Sequence, residues 1–315
     1  MGTAALSCAS LAALARDQQF QIAAVVTQPD RPKGRDLKPQ SSPVKRLAEQ
    51  LGLPVLQPGR ARDEKFLAEL HALKPDLIVV VAYGQILPQS ILDLPRYGCL
   101  NVHTSLLPKY RGAAPIQWAI AHGESETGAT IMKMDAGLDT GPIVAQRRTP
   151  ISPADDSATL HDRLAQLGAE LLVQTIPDYV AGRIQPKPQP TEGVSLAPKI
   201  KKADGRIDWN LPAQTIWNRL RAFTPWPGAF TFFYGKLLKI WKGGIGEDIW
   251  NKENPLVNFG VKPGTIVRAE NNGIIVVCGK DFLVITELQL EGGRRLSAAE
   301  FLAGHPLKLG NQLLV

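Results

Sequence analysis

Along residues 1–182, short apolar β-branched runs alternate with stretches whose apolar positions recur every three to four residues. Residues 22–27, 99–103, 130–134 and 143–145 read as strands, and 76–82 (DLIVVVA) as a strand covered on both faces. Helices are expected over 4–16, 43–51, 115–121 and 158–180, the last with Leu160, Leu164, Leu167, Leu171 and Leu172 on one side. Such alternation predicts an α/β domain with a mainly parallel sheet and helices on both faces. Ligands of these sheets sit beyond the carboxyl ends of the strands.

The pattern stops after residue 182. Pro186, Pro188, Pro190 and Pro198, set among lysines and polar residues, read as an extended linker over 183–204. A helix over 212–222 follows, then short strands at 230–240, 264–268, 274–277 and 282–290, punctuated by glycine or Asn-Asn-Gly turns. That texture predicts a small antiparallel β-barrel. The expected organisation is therefore a first domain over 1–182, a linker over 183–204 and a second domain over 205–315.

Charge separates the two domains. The chain of 315 residues carries a net +7, but residues 1–198 hold 20 Lys/Arg against 19 Asp/Glu, and 199–315 hold 16 against 10. A basic second part suits a polyanion partner, although a basic and idle surface would read the same. No apolar run approaches the ~20 residues of a membrane-spanning helix. Three cysteines far apart (Cys8, Cys99, Cys278) form neither a disulfide framework nor a metal-ligand set, which fits a reducing cytosol and no metal. The apolar residues 1–16 lack a basic leader, so no secretory signal is expected and the location is read as cytoplasmic.

Four stretches could carry chemistry. In NVHTSLLPKYRG (101–112), alternation along a strand puts Asn101 and His103 on one face about 7 Å apart, with Val102 on the other. An amide donor beside an imidazole suits acyl transfer, the amide stabilising a developing oxyanion and the imidazole moving protons. A polar strand end with a capping histidine is the plainer alternative. In MDAGLDTGP (134–142), glycines let a loop bring a carboxylate near an imidazole, but spacing alone does not choose between Asp135 and Asp139. The loop QPDRPKGRDLK (28–38) is too rich in proline and charge to pack, and its cations could hold phosphates or merely be solvated. The glycine-containing turn at 83–88 could wrap a flat heterocycle. His71, His122, His161 and His305 lack partners at ligand spacing and read as surface residues.

Taken together, these stretches resemble the methionyl-tRNA formyltransferase family. The shared pieces are VVTQPDRPKGR (25–35), SPVK (42–45), LIVVVAYGQILP (77–88), NVHTSLLPKYRGAAPIQWAI (101–120), ETGATIMKMDAGLDTGPI (126–143), APKIKKADGRIDW (197–209) and RAFTPWPGA (221–229). The resemblance implies a Rossmann-like first domain and an OB-like barrel, and transfer of a formyl group from 10-formyltetrahydrofolate to the α-amine of methionyl initiator tRNA. It implies Asn101, His103 and Asp139 as the catalytic set, which selects Asp139 over Asp135. Ser105, Leu106, Leu107 and Pro108, with Tyr83, Gly84 and Ile86, would form folate-binding walls, and Arg31, Lys33, Arg35 and Lys38 would meet tRNA. No metal is implied, and a monomer is expected.

Two rivals share parts of this pattern: a formyltransferase acting on an amino-sugar nucleotide, and a non-catalytic RNA-binding relative. A folate-formyl hydrolase is a further variant. The basic loop around Arg35 and the basic second domain favour tRNA. One departure stands out. The family opens with an apolar strand leading into Phe-Gly-Thr, whereas here Met1 directly precedes Gly2-Thr3. The reading therefore expects a first strand to be missing, neighbouring edges and apolar faces to be uncovered, and Met1 not to be the natural start.

Overall fold

The computed structural model describes residues 1–33, 38–246 and 261–314. The chain divides into two compact units, Met1–Pro115 with Glu126–Pro150 and Leu160–Pro198, and Ile116–Ser125 with Ile151–Thr159 and Lys199–Val315.

The first unit is Rossmann-like. Strands Ile78–Val80 and Cys99–His103 run parallel with Val80 opposite Asn101. The sheet then turns antiparallel, Glu126–Lys133 pairing with Cys99–His103 on one side and Ile143–Pro150 on the other. The parallel pairings are those the sequence pattern predicts, and an antiparallel hairpin completes the sheet. Residues 134–142 are too few for a crossover, so the chain must return as a hairpin. Helix Ser157–Val180 lies against the sheet, and a Cβ at Gly168 would stand 2.7 Å from Val102 Cγ1, so glycine permits that close approach. Helix Pro43–Gln50 starts where its chemistry dictates, with Pro43 in the first turn and Ser42 Oγ accepting from the Lys45 amide at 3.0 Å.

Two strands are shorter than the sequence predicts. The run at 22–27 is a strand only at Val25–Val26, which pairs in parallel with Val55–Leu56, and 76–82 only at Ile78–Val80. Between their other edges stand Met1 and Gly2. Gly2 bridges Val81 in parallel and donates its amide to Val26 at 2.9 Å, and the Met1 ammonium donates to the Val79 carbonyl at 2.6 Å. Burial pushes that ammonium down to about 6. Next to it opens a cavity of about 790 Å³, lined by Leu11 and Leu14 of helix Leu6–Arg16 and by Ile22, Val25, Ile78 and Ile176. Among the described residues, 22–24 have no strand beside them on this side, so no ladder extends Val25–Val26 backwards. Leu11 packs against Val25, Val44 and Ala48, and both Leu11 and Leu14 are only half-buried where they line the cavity.

The stretch 28–38 also departs from its reading as an unpacked loop. Arg31–Lys33 pairs antiparallel with Lys38–Gln40, and Asp30 anchors its base. The Lys45 ammonium at 2.7 Å and the Gln57 amide at 2.8 Å hold the Asp30 carboxyl below the ordinary carboxylate range. Alternating Pro and Lys hide a strand pattern, and backbone pairing supplies what side-chain burial does not.

The second unit is an antiparallel sheet in the order Ala229–Phe233, Lys236–Ile245, Phe282–Leu290, Gly273–Val277, Ile266–Glu270, with Leu296–Ser297 also pairing with Phe282–Leu290. The sequence reads 230–240 as one strand, but Tyr234 (φ 47°) and Gly235 (φ 75°) form a two-residue hairpin turn that splits it. Both positive φ values fit the turn twist that right-handed strands need. Trp209, Ile216, Leu220, Ile240, Ile274, Val276, Leu283, Ile285 and Phe301 fill the core. The C-terminal residues touch both outer strands: Leu314 pairs with Phe232, and Gln312 with Thr265. Among the described residues, no helix is long and apolar enough to cross a membrane.

Filling the cavity beside Met1 should stabilise the first unit. Extending the chain ahead of Met1 by six β-branched apolar residues would bury two or more large side chains, each contributing about 1.5–3 kcal/mol. At roughly 2–4 °C per kcal/mol for units of this size, the melting temperature should rise by about 5 °C or more. A calorimetric scan in which the extended chain melts at or below the original temperature contradicts this reading of the cavity.

Candidate active site

The site is built on the last residues of strand Cys99–His103 and the two loops that approach them. Asn101 lies opposite Met132 and His103 opposite Thr130, and side-chain alternation sends both polar groups to one face. His103 is buried at 6% exposure, so its ring atoms need partners. Nε2 finds the Tyr110 carbonyl at 2.9 Å. A carbonyl oxygen can only accept, so Nε2 carries a proton and the tautomer is fixed. Nδ1 is thereby turned toward Asp139, whose Oδ2 lies 3.6 Å away. A proton on Nδ1 makes this an ion-paired contact; without it, two acceptors face each other.

Asp139 itself is held from two sides. The Gly112 amide donates to Oδ2 at 2.8 Å, and Asn101 Nδ2 points to Oδ1 at 3.5 Å. Asp139 adopts φ 51°, a left-handed conformation that aspartate tolerates better than most residues. Gly112 is required by geometry. At φ 122° only glycine is unstrained, and a Cβ would sit 2.7 Å from the Ala197 carbonyl. Asp135 does not join the cluster; it caps its own loop, accepting from the Gly137 amide at 3.1 Å and the Thr140 hydroxyl at 2.7 Å. Of the two carboxylates, Asp139 is the one that lies near His103.

The loop after His103 is fixed by its own polar groups. Ser105 is fully buried with Oγ donating to the Lys109 carbonyl at 2.6 Å. Thr130 Oγ1 donates to the Ser105 carbonyl at 2.6 Å and accepts from the Leu107 amide at 3.2 Å. Leu107 is buried, and Leu106 and Pro108 are half-buried. In the turn at 83–88, Ile86 is 92% exposed and Gly84 sits at φ 80° beside the Gln28 amide. Tyr83 is buried in the core with no partner on its hydroxyl, and burial pushes that hydroxyl up to about 12. Cys99 is likewise pushed up to about 12 by burial, which keeps it a thiol at neutral pH.

Of the cations expected to meet a phosphate chain, Arg31 is exposed on its hairpin and lies opposite Gln40, and Lys33 lies opposite Lys38. Arg35 lies outside the described residues. Among the described residues, no group of three or more His, Cys, Asp and Glu is arranged to hold a metal ion. Two contacts to this cluster escape sequence reading. Gly112 carries a faint signal, an Arg-Gly pair after a loop. Gln189, whose side-chain amide donates to the Asp139 and Gly141 carbonyls at 2.8 Å each, carries none, since it stands within the proline-rich linker.

Comparison with known proteins gives this arrangement a context. The formyl transferase family model matches residues 2–176, and the model of the formyl transferase C-terminal domain matches 199–306. A methionyl-tRNA formyltransferase of Trichlorobacter lovleyi is 49% identical over 314 residues, spanning 100% of this chain and 96% of that one. Another from Myxococcus xanthus is 50% identical over 319 residues, spanning 100% and 97%. Among solved structures, an N-formyltransferase from Helicobacter canadensis in complex with folinic acid and dTDP-3-aminofucose superposes with a TM-score of 0.67 at 18% identity, covering 94% of this chain and 97% of that one. HypX from Aquifex aeolicus in complex with tetrahydrofolic acid gives 0.57 at 19%, covering 86% and 47%. At such identities the structural likeness speaks for the fold.

Gly112→Ala should be costly. The strained backbone and the contact with Ala197 together should lower stability by about 2 kcal/mol or more, read from urea unfolding. A Gly112→Ala variant as stable as the parent would refute this account of the loop.

Proposed function

The chain belongs to the formyl transferase family, and we propose that it transfers the formyl group of 10-formyltetrahydrofolate to the α-amine of methionine on initiator tRNA. The observation that carries this reading is identity near 49% along the whole chain to enzymes named for that reaction. Convergence of Asn101, His103 and Asp139 supports the chemistry.

In the proposed reaction the α-amine attacks the formyl carbon, and the carbonyl oxygen takes up negative charge. Asn101 Nδ2 and a proton on His103 Nδ1 are the donors facing that oxygen, and preorganised donors of this kind are worth ~10²–10³ in rate each. Asp139 takes the proton from the attacking ammonium, directly or through one water, and stabilises the protonated ring. Collapse breaks the bond from carbon to N10 of the folate, and the proton returns to that nitrogen. Ser105 to Pro108 and the turn containing Tyr83, Gly84 and Ile86 are proposed as the folate walls. For the turn, support comes from the exposed Ile86; buried Tyr83 would contribute backbone and packing rather than its hydroxyl.

Arg31, Lys33, Arg35 and Lys38 are proposed to meet the acceptor end of the tRNA, and the basic second domain to meet its backbone farther along. We assign the formyltransferase domain to 1–182, the linker to 183–204 and the tRNA-binding domain to 205–315. Closure of the second domain into an OB-like barrel is proposed on the C-terminal residues that reach both outer strands. Translation initiation would place the enzyme in the cytoplasm, acting as a monomer.

The direct test is incubation of purified protein with 10-formyltetrahydrofolate and charged initiator tRNA, with a dTDP-amino-sugar in parallel. Formylmethionine without formylated sugar supports the reading; the reverse overturns it. His103→Ala and Asp139→Asn should each lower turnover by at least ~10² with folate affinity nearly intact. Near-normal turnover of either would remove that residue from the mechanism.

Arg35→Ala should weaken use of tRNA and flatten the salt dependence of its KM, leaving folate binding unchanged. Unaltered kinetics across salt concentrations would take Arg35 out of tRNA recognition.

A further inference from the structure

The proline-rich segment is tied to the active-site cluster by one side chain that the proposed mechanism does not use. Gln189 is half-buried, and all of its amide is engaged. Its two Nε2 hydrogens go to the carbonyls of Asp139 and Gly141, each at 2.8 Å. Its Oε1 accepts from Arg111 at 3.1 Å (Nε) and 2.7 Å (Nη2). Two anchor points on either side of Thr140 fix the direction of the backbone at Asp139, which sits at φ 51° and would relax if released. Arg111 directly precedes Gly112, the residue whose amide holds Asp139 Oδ2 at 2.8 Å. One glutamine therefore braces both the loop that carries the carboxylate and the loop that carries its donor.

The rest of the segment keeps Gln189 in place. Lys187 exchanges backbone hydrogen bonds with Ile143 at 2.7 and 2.8 Å. The Tyr110 amide donates to Ser195 Oγ at 2.9 Å, and Leu196–Ala197 pairs in parallel with Arg111–Gly112. Tyr110 is the residue whose carbonyl fixes the His103 tautomer, so both partners of the imidazole–carboxylate pair rest on this strap.

We infer that Gln189 is a positioning residue for the formyl-transfer step, holding Asp139 at its working distance from His103 through the Asp139 and Gly141 carbonyls. The inference rests on the assignment of Asp139 made above. Gln189 touches no reacting atom; its effect is on geometry, where a misplacement of about 1 Å typically costs up to ~10² in rate.

The test separates positioning from mere support. Gln189→Glu keeps the size and the Arg111 pair but replaces the two N–H donors by an oxygen facing two carbonyls. It should fold with a melting temperature close to the parent, while kcat for methionyl-tRNA formylation falls by ~10–100-fold and the KM values for both substrates stay within about threefold. Gln189→Ala should lose kcat to a similar extent. On an Asp139→Asn background, Gln189→Glu should cost no further factor, because its effect passes through Asp139. Parent-like kcat in Gln189→Glu, a change confined to KM, or full additivity with Asp139→Asn overturns the inference; if the alanine variant fails to fold, the glutamate variant still decides. Full turnover of Asp139→Asn alone would instead overturn the assignment of Asp139, so the two failures are distinguishable.

Discussion

The cluster of Asn101, His103 and Asp139 depends on a carboxylate held where it would not go by itself. Asp139 sits on a glycine-flanked loop with a left-handed backbone, and its Oδ2 is fixed by the Gly112 amide at 2.8 Å. The same oxygen faces Nδ1 of His103 at 3.6 Å, so the hydrogen bond from Gly112 orients the carboxylate toward the imidazole. It also explains the backbone around it. Gly112 must leave the region open to other residues, because the same peptide that donates to Asp139 runs beside the Ala197 carbonyl. Gly141 is equally constrained: a Cβ there would fall 1.8 Å from the Lys133 carbonyl, so the hairpin carrying Asp139 closes only with glycine. Two loops and the linker meet at this point, and each gives up conformational freedom to do so.

The sheet beneath supplies rigidity on one side and lacks it on the other. Asn101 and His103 emerge where parallel pairing with Ile78–Val80 gives way to antiparallel pairing with Glu126–Lys133, so their strand is bonded along both edges. Its core neighbours Leu100 and Ile131 are fully buried. Toward the chain start the support weakens. Val25–Val26 is linked to the strand at Ile78–Val80 through Met1 and Gly2, and a cavity lined in part by Leu11 and Leu14 opens beside them. Buried strand edges without partners are expensive, and burying the Met1 ammonium adds a desolvation cost visible in its lowered pKa. The strand that carries Asn101 and His103 lies on the better-supported side of this gap.

Much of this was legible in the residues, for physical reasons that differ by element. Cys99–His103, Pro115–Ala121 and Phe282–Leu290 match their expected spans because burial writes an unambiguous pattern there. The shortness of Val25–Val26 was not legible, since strand length depends on a neighbour and not on the strand's own side chains. The hairpin at Arg31–Lys33 was missed because two prolines and several charges disguise a paired edge. Alternation alone places Asn101 and His103 on one face, whereas nothing in the spacing shows that Asp139 rather than Asp135 comes near His103; that needed the fold, with the Gly112 amide on its carboxylate. Helix Glu64–Leu73 went unread although Phe66 and Leu70 carry a clear spacing. Gln189 could not be found in this way at all, because its partners are backbone carbonyls about fifty positions earlier in the chain.

The two units use polar residues in opposite manners. In the first, polar groups near the strand end face one another and satisfy one another, which is what a preorganised reaction site requires. In the second, many basic side chains face outward, among them Lys199, Lys201, Lys202, Lys236, Lys280 and Lys308. Part of the excess is nonetheless neutralised internally. Lys242 at 2.7 Å and Arg295 at 2.5 Å share Glu287, and hydrogen bonding to Lys242 with help from Arg295 lowers that carboxyl's pKa. Lys239 and Arg295 also lie 5.4 and 5.2 Å from the Trp241 ring centre, which draws them onto the sheet face. Net charge therefore overstates the cations free to meet a phosphate backbone. In the proposed role of the second unit, the residues that set the salt dependence of tRNA binding should be sought first among the lysines left in solvent, before the pair gathered around Trp241.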